Sequence, residues 1–223
     1  HHELLDLIEK VNVQGAENVG RAVLATGVKR MVHVASIHIF ERVPTGVIDE
    51  TIPLVTKENA AGVYDYTKAE AVRRLRQLIG QGLDVVFACP TGVIGPYDYR
   101  GSEMGGMVRQ YLEKSTQITL DGGYDWVDVR DVAQGLLKLA QDGNTGELYI
   151  LSGHYLRMKD FIMEIGRIKQ KHFRLLYLPY PVLWVTAYVL HFAGLILRIR
   201  PPLTPYSLRT VRDNANISAE KAV

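Results

Sequence analysis

The chain has 223 residues, of which 47% are hydrophobic and 22% are charged, and its formal net charge is +2. This composition is that of an ordinary globular protein, and without a long basic run it gives no support to a nucleic-acid-binding role. The single cysteine, Cys89, excludes an intrachain disulfide. It lies in an apolar run, which predicts a buried, unreactive thiol. The sequence contains no zinc-type Cys/His spacing, so we expect no metal site.

The first third of the chain alternates helical and strand patterns. The predicted elements are a helix from Leu4 to Val23 ended by Gly27, a strand at 30–36 (RMVHVAS), a loop at about 42–62, a helix at about 64–79 and a strand at 83–90 (LDVVFACP). Helical periodicity, glycine stops and continuous apolar runs support these assignments. Apolar strands between helices are typical of a parallel sheet covered on both faces, so the sequence predicts an α/β fold.

After Pro96 the pattern changes to mixed elements, which we interpret as a smaller, mostly helical lobe. The predicted elements are a helix near 106–114, a strand at about 117–120, a helix at about 129–141 and the strand ELYIL at 147–151. This lobe is interleaved with the end of the sheet domain. We therefore assign residues 1–96 and about 124–152 to the sheet domain, and about 97–123 and 153–223 to the lobe.

Residues 178–197 (LPYPVLWVTAYVLHFAGLIL) are almost wholly apolar. A helix needs about 20 such residues to span a bilayer. Pro179, Pro181, His191 and Gly194 weaken the case for a spanning helix. Two alternatives stay open: a peripheral membrane contact, or a helix that is buried or docked in a soluble protein.

The motif VYDYTKAE places Tyr64 four residues before Lys68 at the start of the second predicted helix. On a helix these side chains share one face, about one turn apart. A nearby ammonium favours the ionised form of a phenol, so we expect Lys68 to lower the pKa of Tyr64 from its usual value of about 10. Tyr66 lies on a different side of the helix and is the poorer partner. Helices also carry such pairs by accident, so a packing role is the alternative.

Two further features fall at the carboxyl edge of the predicted sheet, where open α/β sheets bind ligands. Ser36 closes the first strand, and its hydroxyl is placed either to bond a substrate oxygen or to satisfy a turn. The second strand ends in CPTGVIGP, residues 89–96. Its prolines and glycines suit a loop that brings bare backbone close to a flat ligand.

Together these motifs resemble the extended short-chain dehydrogenase/reductases, which form the NAD-dependent epimerase/dehydratase family, and within them the bacterial dihydroflavonol-4-reductase-like branch. The matching segments follow the family's order from about Val11 to Ala222. They are VNVQGAENVGRAVLATGVKRMVHVAS, YDYTKAEA, CPTGVIGPYDYRGSEMG, GGYDWVDVRDVAQGL, GELYILSG and RPPLTPYSLRTVRDNANISAEKA. The resemblance implies a Rossmann-type doubly wound parallel sheet that binds NAD or NADP. The residues present do not determine which of the two is bound.

The resemblance also implies roles for individual residues. Tyr64 would be the acid–base catalyst, Lys68 would lower its pKa and bind the nicotinamide ribose, and Ser36 would orient the substrate oxygen. Asn12 matches the family's helix asparagine near the cofactor and its proton relay. We interpret Asp131 as structural, because a helix N-terminus stabilises a carboxylate. The loop whose backbone would meet the nicotinamide comprises Pro90, Thr91, Gly92 and Val93.

The start of the family's substrate lobe gives weaker candidates for a substrate pocket. They are Tyr97, Tyr99, Arg100, Ser102 and Met104, although surface-loop positions would look the same.

The chain departs from the family pattern at three places. It has Ala35-Ser36 where two hydroxyl residues are usual, and Gly15-Ala16 where Gly-Thr is usual. The initial strand and its Gly-x-x-Gly-x-x-Gly turn are absent; GAENVG and GSEMGG have the wrong spacing, and we reject them. We expect a fragment, or the ordered part, of a longer protein, since this chain alone would expose a strand edge. The alternative is a degenerate homologue without a dinucleotide.

The leading interpretation is a cytoplasmic NAD(P)-dependent oxidoreductase acting on a carbonyl or secondary alcohol of a small, hydrophobic substrate. The apolar segment 178–197 mildly favours such a substrate. The runner-up is a nucleotide-sugar epimerase or dehydratase using the same triad, for which Arg100 and Arg109 could bind a diphosphate. The third is a non-catalytic dinucleotide-binding homologue. The resemblance also implies a homodimer formed through the helix that carries Tyr64.

Overall fold

The computed structural model describes residues 2–43, 45–197, 203–213 and 216–223. They form two compact units. The first comprises His1–Val93, Val127–Ser152 and Ile217–Val223, and the second comprises Ile94–Trp126 and Gly153–Asn216. The final seven residues therefore lie in the first unit, whereas the division drawn from the sequence assigns them to the lobe.

The helices and strands alternate along most of the chain. The helices are α1 (His2–Glu9), α2 (Gly15–Thr26), α3 (Val63–Ile79), α4 (Glu103–Glu113), α5 (Val129–Asp142), α6 (Met158–Lys169), α7 (Tyr180–Leu197) and α8 (Pro205–Asp213). The strands are β1 (Met31–Val34), β2 (Val85–Pro90), β3 (Gly92–Ile94), β4 (Thr116–Thr119), β5 (Gly123–Asp128), β6 (Leu148–Leu151), β7 (His154–Arg157) and β8 (Arg174–Tyr177). A π-helical turn, Lys10–Gln14, joins α1 to α2, and 3₁₀ turns occupy Ile37–Ile39 and Glu220–Ala222.

The sheet of the first unit is parallel, with the strand order β1-β2-β6. The central strand β2 is buried along its whole length, and its side chains alternate between two cores. Phe87 packs with residues of α3 on one face, while Val86 packs with residues of α5 on the other. A sheet covered by helices on both faces is the doubly wound arrangement. The predicted α/β class and parallel sheet are confirmed.

The close packing of α2 on α3 depends on a glycine. A side chain at Gly20 would place its Cβ 2.7 Å from Cδ2 of Leu75, an apolar residue fully buried in α3. Helix α2 then ends at Gly27, which adopts the left-handed conformation with φ +68°. Glycine occupies that conformation without steric cost, so the predicted stop signal acts as expected.

The second unit combines strand pairs with helices. Strand β4 pairs with β8 in parallel, and β5 pairs with β7 in antiparallel fashion. Trp126 of β5 stacks on Phe161 of α6, with ring centroids 4.4 Å apart. A second cluster joins Leu183 of α7 to Leu208 of α8. None of the helices in the described part of the chain is both long enough and apolar enough to cross a membrane.

Several elements differ from the pattern expected from sequence. The first predicted helix is interrupted by the π-helical turn, and α4 begins earlier than expected because Ser102 caps it. The Oγ of Ser102 accepts a hydrogen bond from the backbone N–H of Gly105 at 3.0 Å. Strands β3, β5, β7 and β8 have no counterpart in the predicted elements. Strand β5 is buried on both faces, so it lacks the apolar–polar alternation that reveals a strand.

Candidate active site

Ser36 lies just beyond the carboxyl end of β1 and is buried. Its Oγ accepts a hydrogen bond from the backbone N–H of His38 at 3.2 Å, which caps the following 3₁₀ turn. The Ser36 hydroxyl also lies close enough to the Tyr64 phenol to influence the pKa of the phenol. The hydroxyl therefore caps the turn and lies next to the phenol.

Tyr64 is the second residue of α3 and brings its phenol to the same edge of the sheet. Its ring meets the His38 ring edge-on, with centroids 6.4 Å apart. The side chain is 44% exposed, so one side is open to a ligand. Burial of the rest raises the pKa of Tyr64 above its ordinary value. The nearby Ser36 hydroxyl opposes this rise, and the charge of Asp65 adds to it.

Lys68 lies one helical turn beyond Tyr64, and its ammonium is bound to β1. The Nζ donates a hydrogen bond to the backbone carbonyl of Val34 at 2.9 Å. Burial lowers the pKa of Lys68. In this arrangement the phenol keeps a raised pKa, which differs from the lowering expected from the spacing of the two residues.

His33 lies on β1 near Lys68. Its ring packs edge-on against Phe87, with centroids 6.0 Å apart. The buried Nε2 has no hydrogen-bond partner among the residues that the structure describes. Burial and, to a lesser extent, the positive charge of Lys68 lower the pKa of His33 to about 4. The imidazole is therefore neutral at physiological pH.

Asn12 occupies the π-helical turn and is tied to the turn of α3 that carries Tyr64. Its Nδ2 donates a hydrogen bond to Oγ1 of Thr67 at 2.9 Å. The Thr67 hydroxyl in turn donates to the backbone carbonyl of Tyr64 at 3.1 Å. Thr67 is fully buried, so both bonds are shielded from water. π-Helical turns often occur at functional sites, and this one places an amide behind the candidate catalytic residue.

Replacing Thr67 by Val should destabilise the protein by about 1–3 kcal/mol, because it leaves the partly buried amide of Asn12 without its acceptor. Thr119→Val is the matched control. Thr119 is also fully buried, but its hydroxyl has no partner within the described ranges. In denaturant unfolding, the free energy of unfolding of the control should fall little or should rise. Equal losses for the two variants would contradict a stabilising role for the Asn12–Thr67 bond.

The segment 90–93, predicted from sequence as a loop, is largely strand: it contains the end of β2, the strand that pairs with β1, and the start of β3. Pro90 is buried at the end of β2, and the backbone N–H of Thr91 donates to the carbonyl of Leu151 at 3.1 Å. Gly92 and Val93 are half-buried and begin β3. Since β1 and β2 are parallel, this segment and Ser36 emerge at the same edge of the sheet.

Cys89 and Asp131, two residues considered in the sequence analysis, lie within secondary-structure elements of the first unit. Cys89 is buried in β2, and burial raises the pKa of its thiol, so the predicted buried cysteine is confirmed. Asp131 lies in the first turn of α5. The cap of this helix is Asp128, whose Oδ1 accepts from the backbone N–H of Arg130 at 2.8 Å.

The residues predicted to line a substrate pocket in the second unit differ in their surroundings. Tyr97 and Tyr99 are exposed, with ring centroids 6.2 Å apart, and Arg100 is exposed beside them in the chain. Ser102 also donates through its hydroxyl to Asp98 at 3.0 Å, and Met104 packs against the core of its unit. A cavity of about 400 Å³ in the second unit, lined by residues between Met163 and Phe173, contains none of the predicted site residues.

The structure adds residues that the sequence motifs did not single out. Thr67 stands inside the quoted motif YDYTK, while His33 and His38 flank Ser36 in the chain. Their positions next to the motif residues are the only signal in the sequence, because no spacing rule assigns them a function. Asp65 is buried beside Tyr64, and its charge adds to the rise in the pKa of Tyr64. Burial lowers the pKa of His38, and the charge of Asp65 opposes this lowering.

Curated relatives match the chain at low identity. A Synechocystis sp. protein with the provisional name dihydroflavonol 4-reductase is 26% identical over 83% of this chain and 56% of its own length. Sterol demethylase protein B of Methylococcus capsulatus is 28% identical over 65% of this chain and 44% of its own length. The decarboxylating sterol-4-alpha-carboxylate 3-dehydrogenase of Candida albicans is 27% identical over 92% of this chain and 62% of its own length. The chain thus spans 44% to 62% of the length of these relatives.

Solved structures share the fold. The crystal structure of gox2253 superposes with a TM-score of 0.79 at 24% identity, covering 98% of this chain and 66% of that one. A dTDP-glucose 4,6-dehydratase from Bacillus anthracis in complex with NAD gives a TM-score of 0.64 at 20% identity. The match covers 76% of this chain and 56% of the dehydratase chain. Residues 3–152, two-thirds of the chain, match a single family model. The chain belongs to the NAD dependent epimerase/dehydratase family.

Proposed function

We propose that the protein is an NAD(P)-dependent oxidoreductase that reduces a carbonyl, or oxidises a secondary alcohol, of a small hydrophobic substrate. The observation that carries the proposal is the convergence of three side chains at the carboxyl end of β1. Ser36 follows this strand, Tyr64 lies near Ser36 at the start of α3, and the Lys68 ammonium donates to the carbonyl of Val34 at 2.9 Å. Two hydroxyls that meet at the carboxyl edge of a parallel sheet can bind one substrate oxygen together.

In the reducing direction Tyr64 is the proton donor. The raised pKa keeps its phenol protonated at neutral pH, which is the form that an acid catalyst needs. Ser36 holds the carbonyl oxygen while the phenol transfers its proton to that atom, and the resulting phenolate regains a proton from solvent. When bound, a nicotinamide cofactor would supply the hydride to the carbonyl carbon, so that the substrate becomes an alcohol and the cofactor is oxidised.

The residues present fit the nicotinamide end of such a cofactor. Lys68 is half-buried, with its ammonium at the end of β1, where it would bind a ribose hydroxyl. The segment from Pro90 to Val93 would offer its backbone to the ring. The Tyr64 phenol and the Ser36 hydroxyl lie at this edge of the sheet, and the 44% exposure of Tyr64 leaves an approach for the substrate.

A hydrophobic ketone is the substrate class that we favour. Two of the curated relatives carry sterol in their names. A sugar nucleotide would require free cations for its diphosphate. Arg109, one of the two candidates, lies near Asp98, since its charge helps to lower the pKa of that carboxyl. The nearby carboxylate makes Arg109 a less favourable site for a second anion.

The assay that tests the proposal measures NADH and NADPH oxidation by the complete protein against a panel of sterol-like and flavonoid-like ketones. Binding of uridine-diphosphate sugars is measured in parallel. Turnover of a ketone with either cofactor is the expected result. Sugar-nucleotide binding without ketone turnover would identify an epimerase or dehydratase. Binding of NAD or NADP without turnover of any substrate would indicate the non-catalytic dinucleotide-binding homologue. The absence of any thermal shift with NAD or NADP would indicate a degenerate homologue that does not bind a dinucleotide.

A further inference from the structure

Helix α7 exposes an apolar stripe to solvent. Val182, Val185 and Val189 recur at helical spacing and are 49%, 64% and 61% exposed, and Phe192 continues the line at 60%. The opposite face is buried, with Leu183 and Ala187 packed against α8. Residues 178–197 carry no Lys, Arg, Asp or Glu, so no charge interrupts the stripe. Large exposed apolar surfaces on folded proteins mark sites of interaction.

An aromatic row runs beside the stripe, along the adjoining side of α7. Tyr180 and Trp184 are stacked with centroids 5.8 Å apart, and Trp184 meets Tyr188 edge-on at 5.4 Å. Two exposed arginines of α8 cover this row. The guanidinium carbon of Arg212 is 5.0 Å from the Tyr180 ring centroid, and that of Arg209 is 5.4 Å from the Trp184 ring centroid.

We propose that this face binds the surface of a bilayer containing anionic phospholipids, with α7 lying in the plane of the interface. The valine stripe and Phe192 would enter the acyl boundary, the aromatic row would sit at the level of the headgroups, and Arg209 and Arg212 would contact the lipid phosphates. Helices that lie in the interface have this layering of apolar, aromatic and cationic side chains. The inference does not depend on the proposed reaction.

The charges favour a membrane over a second copy of the chain. A partner's α7 would bring the same uncharged stripe and no carboxylate for the two arginines. An anionic lipid surface supplies both an apolar layer and the opposite charge. The described helices include none that could span a bilayer, which agrees with binding in the plane of the membrane.

Vesicle sedimentation of the complete protein tests the inference. With vesicles of phosphatidylcholine and phosphatidylglycerol, the wild type should sediment, and its partition coefficient should exceed that on pure phosphatidylcholine. The double change V185E/V189E should lower the partition coefficient by about tenfold or more, because it places two charges in the apolar stripe. Arg209→Gln with Arg212→Gln should remove most of the preference for anionic vesicles.

Ile168→Glu provides the matched control. Ile168 is 66% exposed on α6, outside the stripe, so the change introduces one glutamate, against two in V185E/V189E, at an equally exposed apolar site. Circular dichroism confirms the folding of each variant. No binding by the wild type, or an equal loss with Ile168→Glu, would overturn the proposal. A dimer in size-exclusion chromatography that V185E/V189E converts to a monomer, without vesicle binding, would replace it with a protein interface.

Discussion

Replacing Tyr64 by Phe should lower the turnover of a ketone substrate by about 100- to 10,000-fold, the usual effect of removing a general acid. The change deletes one hydroxyl and keeps the ring. The Ser36 hydroxyl retains its bond from the backbone N–H of His38, so the local turn should persist. Binding of NAD or NADP, measured by fluorescence or thermal shift, should be largely unaffected. The loss should therefore appear in kcat rather than in cofactor affinity.

Tyr66→Phe is the control for this experiment. Tyr66 lies two residues further along α3, and the Lys57 ammonium is 5.8 Å from its ring centroid. The same deletion there should leave turnover nearly unchanged. Retained activity in the Tyr64 variant, or a comparable loss in the Tyr66 variant, would remove Tyr64 from the role of proton donor.

Acidification from pH 7 to pH 4.5 should destabilise the protein in part through His33, by roughly 2–3 kcal/mol. In the folded state the pKa of His33 is lowered from 6.5 to about 4. Between these two values the unfolded chain binds more protons than the folded chain, so the free energy of unfolding falls as pH falls. The contribution is fully present above pH 6.5 and is lost as the pH approaches 4.

The variant His33→Phe should reduce this pH dependence, because Phe retains an aromatic contact with Phe87 and cannot be protonated. Urea unfolding at the two pH values gives the difference for each protein. The control is His154→Phe, which changes an exposed histidine of β7 and should keep the wild-type slope. An unchanged slope in His33→Phe would show that other groups cause the acid sensitivity.

The parts of the fold that sequence predicted are those with a strong local signal. Helix α3 has a long apolar periodicity and glycines beyond its end, so its bounds and the spacing from Tyr64 to Lys68 could be predicted. Strands β1 and β2 are apolar runs between such helices. The meeting of Ser36 and Tyr64 follows from this topology, because strand ends and helix starts share one edge of a parallel sheet.

The remaining features depend on contacts between distant residues. The hydrogen bond from Asn12 to Thr67 joins positions 55 residues apart in the chain, and no local sequence pattern predicts it. The ammonium of Lys68 binds the Val34 carbonyl, a partner that the helix spacing alone does not reveal. Strand β8 is four residues long and is recognisable only through its pairing with β4. The acidity of the phenol is set by burial, which a sequence motif does not contain.

Cys89, the single cysteine, lies in the central strand β2, and its chemical modification can report the local opening of the sheet. Cys89 is enclosed on all sides, so an alkylating reagent can reach it only when the surrounding sheet separates. The rate of modification then gives the free energy of that separation, without denaturant and without an introduced label. Partial unfolding of the sheet could thus be followed under the same conditions in which the proposed activity is assayed.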